Sequence, residues 1–405
     1  MRIGIDIRSL EEAQPTGVGE YTRAVVRELL ALAPDHEFRL YASGARQVEL
    51  PDIGVEQHPR ATVKWLQRPN KLRSASTVLV HRPVLDEVLG GLDVFFSPNL
   101  NFTTLSPTVP HVLTVHDLSF ELFPRFFSLR RRVWHRAVRA RQAVRTAAHV
   151  LCDSRSTADD VTTIYGVPRA RTTVVPLGVD ASFAAIDDVQ AAHLHARRVR
   201  EQLELPERYV LAVGTIEPRK NLVTLVRAWE AARRRTGQAV ALVVAGPDGW
   251  KSRAFWSAVG ASEFADDVHV LGFVASSDRP ALLRGASCVV AASSYEGFAP
   301  ALEAMACGVP VVAADASSLP EVSEDAALLV DPERPAQVAD AAGRGADRRG
   351  RCAPCWWQRG WRRPRWFTWR DTARATLNVL LEAVVDNRRW QLEPSTARSA
   401  IVSST

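Results

Sequence analysis

The stretch SSYEGFAPALEAMACGVPVVAAD, residues 293–315, sets Glu296 and Glu303 on either side of a short turn, Gly297-Phe298-Ala299-Pro300. Behind the turn the apolar spacing predicts a helix, and the run from Val309 to Ala314 predicts a buried strand after it. A strand of this kind, apolar on both faces and fed by a helix, belongs in a parallel sheet covered on both sides. A loop that only connects two elements needs neither carboxylate, so the pair raises a functional question.

Outward from this stretch the same alternation repeats. On its side of the chain, RYVLAVG, VALVVAG, VHVLGFV, SCVVAAS and AALLVDP read as further strands with helical patterns between them. Towards the N-terminus, RIGIDI, EFRLYA, DVFFSP, PHVLTVHD, AHVLCDS and RTTVVPLGVD form a second series, with an amphipathic helix predicted from Tyr21 to Leu32. The two series are separated by a polar, Ala- and His-rich segment, 182–206, which reads as a linker. The expected organisation is therefore an α/β domain over 1–181 and another over 207–369. A helix over 370–386 is expected to cross back to the first domain, with a frayed tail over 387–405. With 405 residues and 46% hydrophobic content the chain can build two cores.

The bulk numbers exclude several classes. The longest apolar runs are strand-sized, and the N-terminus carries Arg2, Asp6 and Arg8 in place of a basic-then-apolar leader, so a cytoplasmic protein with no membrane span is expected. Five scattered cysteines imply no disulfide framework. The basic pI of about 9.3 is local: residues 341–366 hold eight Arg and one Asp, a balance of +7 that leaves −1 for the rest of the chain. That segment, crowded with Arg, Gly and Trp, shows almost no helical periodicity. Its lone Cys352-x-x-Cys355 could be half of a metal or redox site and its Arg/Trp mixture a nucleic-acid insert. Its composition fits better with codons read out of frame, and no nucleic-acid partner is expected. A further basic stretch, residues 123–150, combines Phe126, Phe127 and Trp134 with seven Arg between Arg130 and Arg145. It suits the surface of an anionic bilayer, or else a solvated basic helix with its apolar side on the sheet.

Candidate chemistry concentrates at predicted strand ends, where open α/β sheets bind ligands. AVGTIEPRKNLVTLVRAW is a strand, a loop with Arg219 and Lys220, and a helix; two adjacent cations there make a clamp for a diphosphate, or else a solvated basic turn. The N–H groups of Gly297, Phe298 and Ala299 would face a phosphate ahead of the helix. Glu303 can accept from the two hydroxyls of a ribose and Glu296 from sugar hydroxyls, although two Glu near a helix start also serve as caps. In TGVGEYT, Gly17 and Gly19 permit close backbone approach to a phosphate. In TVHDLSFELFP, His116 and Asp117 stand at the end of a strand. No Asp-x-Asp triplet and no His/Asp/Glu cluster with metal spacing occurs. Arg219, Lys220 and a helix N-terminus would then neutralise the diphosphate without a metal or other cofactor.

Taken together, TGVGEYT, TVHDLSFELFP, VLCDSRSTADDV, TVVPLGVD, AVGTIEPRKNL, YEGFAPALEAMACGVPVVA and SLPEVSEDAALLVDP resemble, in order, the retaining GT-B glycosyltransferases of family 4, the glycosyl transferases group 1. HDLSFELFP and GTIEPRKN look most like mannosyltransferases that use GDP-mannose. The resemblance implies two Rossmann-like domains facing a cleft, the donor held mainly by the second and a saccharide or lipid-linked acceptor by the first. It assigns Glu303 to the ribose, Glu296 and the following amides to the donor sugar, Arg219 and Lys220 to the diphosphate, and His116 to positioning the sugar. It implies retention by front-face attack, in surface polysaccharide synthesis. There is one departure in the site: the family has seven residues between its paired glutamates, and this chain has six. A loop shortened by one residue is expected to shift its amides and to impair the site. An inactive nucleotide-binding homologue and a sugar-nucleotide epimerase are the alternatives.

Overall fold

The computed structural model describes residues 1–12, 16–67, 82–184, 189–298, 300–346 and 367–392. Two sheets form, both parallel throughout. The first orders its strands β3-β2-β1-β4-β5-β6-β7, with β1 Arg2–Asp6, β2 Glu37–Gly44, β3 Ala61–Gln67, β4 Val94–Ser97, β5 His111–Val115, β6 His149–Cys152 and β7 Thr172–Val174. The second runs β10-β9-β8-β11-β12-β13, with β8 Tyr209–Val213, β9 Ala241–Ala245, β10 Val268–Gly272, β11 Cys288–Ala291, β12 Val311–Ala314 and β13 Leu328–Val330. In each sheet the strand order reverses at one place, between β1 and β4 and between β8 and β11. There the connections leave in opposite directions, and a crevice opens at the carboxyl ends.

The central strands are buried on both faces: Ile3, Ile5, Phe95, Phe96, Leu211, Val243 and Val311 are all inaccessible to solvent. Strand β3 was absent from the sequence reading. It pairs with β2 in register from Phe38 opposite Ala61 to Gly44 opposite Gln67, yet most of it is open to solvent. An edge strand with Lys64 at its centre has no apolar run to betray it.

Ten helices matter to the site and its surroundings: α1 Gly17–Leu32, α2 Leu129–Val138, α3 Ala140–Thr146, α4 Arg155–Tyr165, α5 Val189–Gln202, α6 Leu222–Thr236, α7 Arg279–Gly285, α8 Ala301–Ala306, α9 Pro335–Ala346 and α10 Trp369–Leu392. Three differ from the sequence expectations. The segment expected to be a linker is largely α5, which packs on α7 and buries Val199. The segment read as aperiodic from residue 341 is helical to Ala346, and Ala341 and Ala342 fill the second core. Helix α10 runs six residues into the expected tail and ends at Leu392. The remainder of the Arg/Trp segment, including Cys352 and Cys355, and residues 393–405 lie outside the described residues.

Helix α10 returns the chain to the first domain, as expected. Ala373, Val379, Leu380, Ala383 and Val384 join the core built on α1 and β1, and Thr372 donates to the carbonyl of Pro176 at 2.7 Å. Among the described residues no helix is long and apolar enough to cross a membrane.

Candidate active site

The loop after β8 and the loop after β11 meet at the second sheet's reversal point. The first is a single 3-10 turn, Pro218–Lys220, closed by Asn221 in the left-handed region at φ 53°. Asn221 Nδ2 donates to the carbonyls of Ala292 and Pro332, tying the turn to the ends of β11 and β13. Arg219 and Lys220 are thereby aimed together at Glu296. Arg219 Nη1 donates to Glu296 Oε2 at 2.5 Å, Lys220 Nζ to Oε1 at 2.6 Å and Ser293 Oγ to Oε1 at 2.6 Å. Gly214, at φ 134° where L side chains rarely sit, lies against Lys220, and a Cβ there would stand 2.8 Å from Lys220 Cε.

The consequence for Glu296 differs from the expected free acceptor of sugar hydroxyls. Burial alone would raise its pKa; Arg219 and Lys220, helped by hydrogen bonds from Lys220 and Ser293, hold it down to about 2. Glu296 is a permanent carboxylate acting first as counter-ion to the cation pair. With three hydrogen bonds received and about four lone-pair directions, it keeps one acceptor direction, on Oε2. Glu217, also buried, takes Arg219 Nε and Nη2 at 3.1 and 2.8 Å. Burial raises its pKa against the pull of Arg219 and Lys220. Burial disfavours the charge on Arg219, but Glu296, Asp117 and Glu217 push its pKa up, so it stays a cation. Ser317 Oγ, which accepts from the Glu296 N–H at 2.7 Å, and Ser318 Oγ, which donates to the Glu296 carbonyl at 2.8 Å, fix the backbone.

Glu303 lies in the first turn of α8, whose six residues carry too short a dipole to bind an anion unaided. It accepts from Arg279 Nη2 at 3.1 Å, and Arg279 binds Glu20 of the first domain through Nη1 and Nη2 at 3.0 and 3.1 Å. Burial, with Glu20 and Asp180 adding repulsion, pushes the Glu303 carboxyl up to about 7 despite Arg279. Neither Arg279 nor Glu20 figured among the sequence candidates.

Across the cleft, His116 follows β5. Its Nδ1 lies 2.7 Å from Asp153 Oδ2 and its Nε2 2.9 Å from the carbonyl oxygen of Pro98. The Pro98 carbonyl can only accept, so Nε2 carries a proton, and Nδ1 is engaged by Asp153. Burial opposes a charge on the ring, but the proximity and hydrogen bond of Asp153, with Asp117 and Pro98, raise the pKa. Tyr21 meets the ring edge-on at 4.8 Å. The side chain is held within its own domain, and it is the His116 carbonyl that meets the second domain. A Cβ built on Gly297 would overlap that oxygen.

The expected phosphate glycines sit differently. Gly17 and Gly19 form the first turn of α1 and no loop; Thr16 caps it by accepting from the Gly19 N–H at 3.2 Å. Gly19 lies against the Ser9 carbonyl, 3.1 Å from where its Cβ would be, so its small size serves packing inside the first domain. Phe298 meets Phe367 edge-on at 6.0 Å and borders a cavity of about 470 Å³ between the domains, shared with Asp153, Arg155 and Glu321. Ala299 lies outside the described residues. The domains are further joined where Glu321 accepts from the N–H groups of Arg155 and Ser156 at the start of α4, and where Tyr295 donates to Asp160 at 2.5 Å.

Comparison with known proteins bears on the family and the fold. Residues 196–344 match the family described as Glycosyl transferases group 1, and residues 15–183 match Glycosyltransferase Family 4. The O-antigen chain mannosyltransferase B of Escherichia coli is 26% identical over 330 residues, 78% of this chain and 83% of that one. The D-inositol 3-phosphate glycosyltransferase of Salinispora tropica is 35% identical over 268 residues, but the match spans only 55% of its length and 62% of this chain. Sucrose-phosphate synthase from Thermosynechococcus elongatus superimposes with a TM-score of 0.70 at 20% identity, over 95% of this chain and 99% of that one, a likeness of fold.

Proposed function

We propose, from the premise that the chain belongs to the family 4, group 1 glycosyltransferases of GT-B fold, that it transfers mannose from GDP-mannose, with retention, to a saccharide or lipid-linked acceptor in surface-glycan synthesis. The family moves a sugar from a nucleotide-sugar donor; mannose, the guanine base and the acceptor class are our reading. The observation that carries it is the convergence of Arg219, Lys220 and Glu296 at the β8/β11 reversal, with Glu303 held by Arg279 nearby. The mannosyltransferase relative, which this chain matches over most of its length, favours mannose.

In this reading the bond from the sugar C1 to the diphosphate oxygen breaks as the acceptor oxygen attacks the same face, and the acceptor proton passes to the departing phosphate. Lys220 and Arg219 meet the charge that grows on the diphosphate. Glu303 receives the ribose hydroxyls, and the remaining acceptor direction on Glu296 receives a sugar hydroxyl. His116, locked to Asp153 and Pro98 through its two ring nitrogens, shapes the acceptor side through its backbone. It holds no free ring nitrogen to act as a base.

The test is a thermal-shift series with GDP, UDP, ADP and dTDP, followed by incubation with GDP-mannose and a saccharide acceptor. A nucleotide at 100 times its Kd adds about 2.7 kcal/mol to the folded state. A shift with GDP and formation of an α-mannoside support the proposal. A shift with UDP alone overturns the mannosyl assignment. A GDP shift without transfer to acceptor overturns the enzymatic reading in favour of a binding homologue.

A further inference from the structure

We propose that the outward face of α2 is a docking surface for an anionic lipid bilayer, a role separate from the donor site. The helix is fastened to the protein by one side only. Arg131 lies over the Trp250 ring at 3.7 Å, His135 stacks on Phe120 at 4.3 Å, and Val138 is buried. These residues, at i, i+4 and i+7, define the inner face. The opposite face carries Leu129, 75% exposed, and Val133, 57% exposed, one turn apart, with Arg132 and Arg136 on one flank and Arg130 on the other. The alternative from sequence, a basic solvated helix with its apolar side packed inward, accounts for the burial of Phe127 and Val138 but not for Leu129 and Val133, which face solvent.

The electrostatics select the partner. From Leu122 to Cys152 the chain has eight arginines and no carboxylate. Between α2 and α3, where Arg139 takes φ 53°, a recess of about 560 Å³ is lined by Arg136, Arg139, Arg141 and Arg145, with Glu121 as its acid. A phosphate headgroup matches that recess, while Leu129 and Val133 on the same helix match the acyl boundary. A nucleic acid would use the arginines but leave Leu129 and Val133 in water. The surface also adjoins the cleft: Trp250, in the loop after β9, donates to the Phe126 carbonyl at 2.8 Å just ahead of α2. An acceptor held in the bilayer would therefore be presented at the cleft rim.

The full chain should be sedimented with vesicles of phosphatidylcholine alone and of phosphatidylcholine mixed equally with phosphatidylglycerol. Binding to the mixed vesicles only is expected, and it should vanish at about 1 M salt, where the Debye length is about 3 Å. Each arginine near the surface is worth about fivefold in partition, so Arg132→Ala with Arg136→Ala should lower it about 25-fold. Leu129→Glu with Val133→Glu should lower it at least as much, with no change in melting temperature, because both side chains are exposed. Absence of sedimentation at low salt overturns the proposal. So does wild-type binding by the Leu129/Val133 variant together with displacement by duplex DNA, which would make the face a general polyanion site.

Discussion

Replacing Glu303 by Gln should make the protein more stable and the donor site empty-handed, and the size of the first effect follows from the surroundings of the carboxyl. Glu303 faces Arg279 from α7, Glu20 from α1 and Asp180 from the interdomain connection, and burial outweighs the arginine, lifting the pKa from 4.5 to about 7. A group whose folded pKa is raised contributes its full stability below the unfolded value and loses it as the pH climbs through the folded value. Between about pH 4.5 and pH 7 the wild type therefore surrenders stability that a neutral glutamine keeps. The bound from the two pKa values is about 3 kcal/mol at pH 8. With 22% of the side chain open to solvent, screening trims this to about 2 kcal/mol. For a domain of this size that is a rise in Tm of about 4–8 °C. At pH 5 the difference should fall below about 1 kcal/mol. Arg279 keeps its paired hydrogen bonds to Glu20 in the variant, so no cation is stranded. The assay is thermal unfolding of both proteins at pH 5, 6.5 and 8, each with and without GDP. Parallel stability curves across that range would refute the reasoning, and a preserved nucleotide shift in the variant would remove Glu303 from the donor site.

Two further outcomes follow from the same cleft. Gly297→Ala puts a methyl group into the His116 carbonyl and must push the domains apart there; with about 1 Å of displacement, kcat/KM should fall about 100-fold while circular dichroism stays unchanged, and full activity would show that the contact is not kept during turnover. Lys220→Met should raise the donor KM at least tenfold, because among the described residues Lys220 donates only to Glu296 and keeps two N–H groups for a diphosphate. Arg219→Lys, which loses the fork that binds Glu217 and Glu296 at once, should instead lower the melting temperature, and equal effects of the two variants on both readouts would contradict this division.

What was legible in the sequence is what depends on local pattern. Twelve of the strands announce themselves as apolar runs, and Arg219, Lys220, Glu296 and His116 stand at strand ends where the fold needs polar groups. Strand β3 escaped because an edge strand is allowed to be polar. Helix α5 escaped because its Ala-, His- and Arg-rich sequence shows no apolar stripe, although it packs on α7 and buries Val199. The partners of the site residues were not legible. Nothing local links Glu303 to Glu20, which lies 283 positions earlier, and Asp153 reaches His116 only because β5 and β6 are adjacent. Serines such as Ser293, Ser317 and Ser318 look like ordinary loop residues until the backbone they hold is seen. Gly17 and Gly19 read as a loop but open the helix itself, and the packing of Gly19 on the Ser9 carbonyl was not legible from their spacing.

The six-residue spacing between the paired glutamates bears on the site through these hidden partners. If the loop alone positioned the two acids, deleting one residue would displace both. Here Glu296 is fixed by Ser317 and Ser318 from the loop after β12 and by the two cations after β8. Glu303 is fixed by Arg279 and by the burial of Ala301, Leu302, Ala304 and Met305 on α8. Both carboxylates are thus anchored from outside the loop, and the missing residue must be absorbed between Gly297 and Pro300. At the start of that stretch, Gly297 is pressed against the His116 carbonyl, with no room there for a side chain. Under the proposed function, the shorter loop is expected to act on the amides assigned to the donor sugar, and so on catalytic rate, while the contacts that hold Lys220 and Glu303 lie outside it.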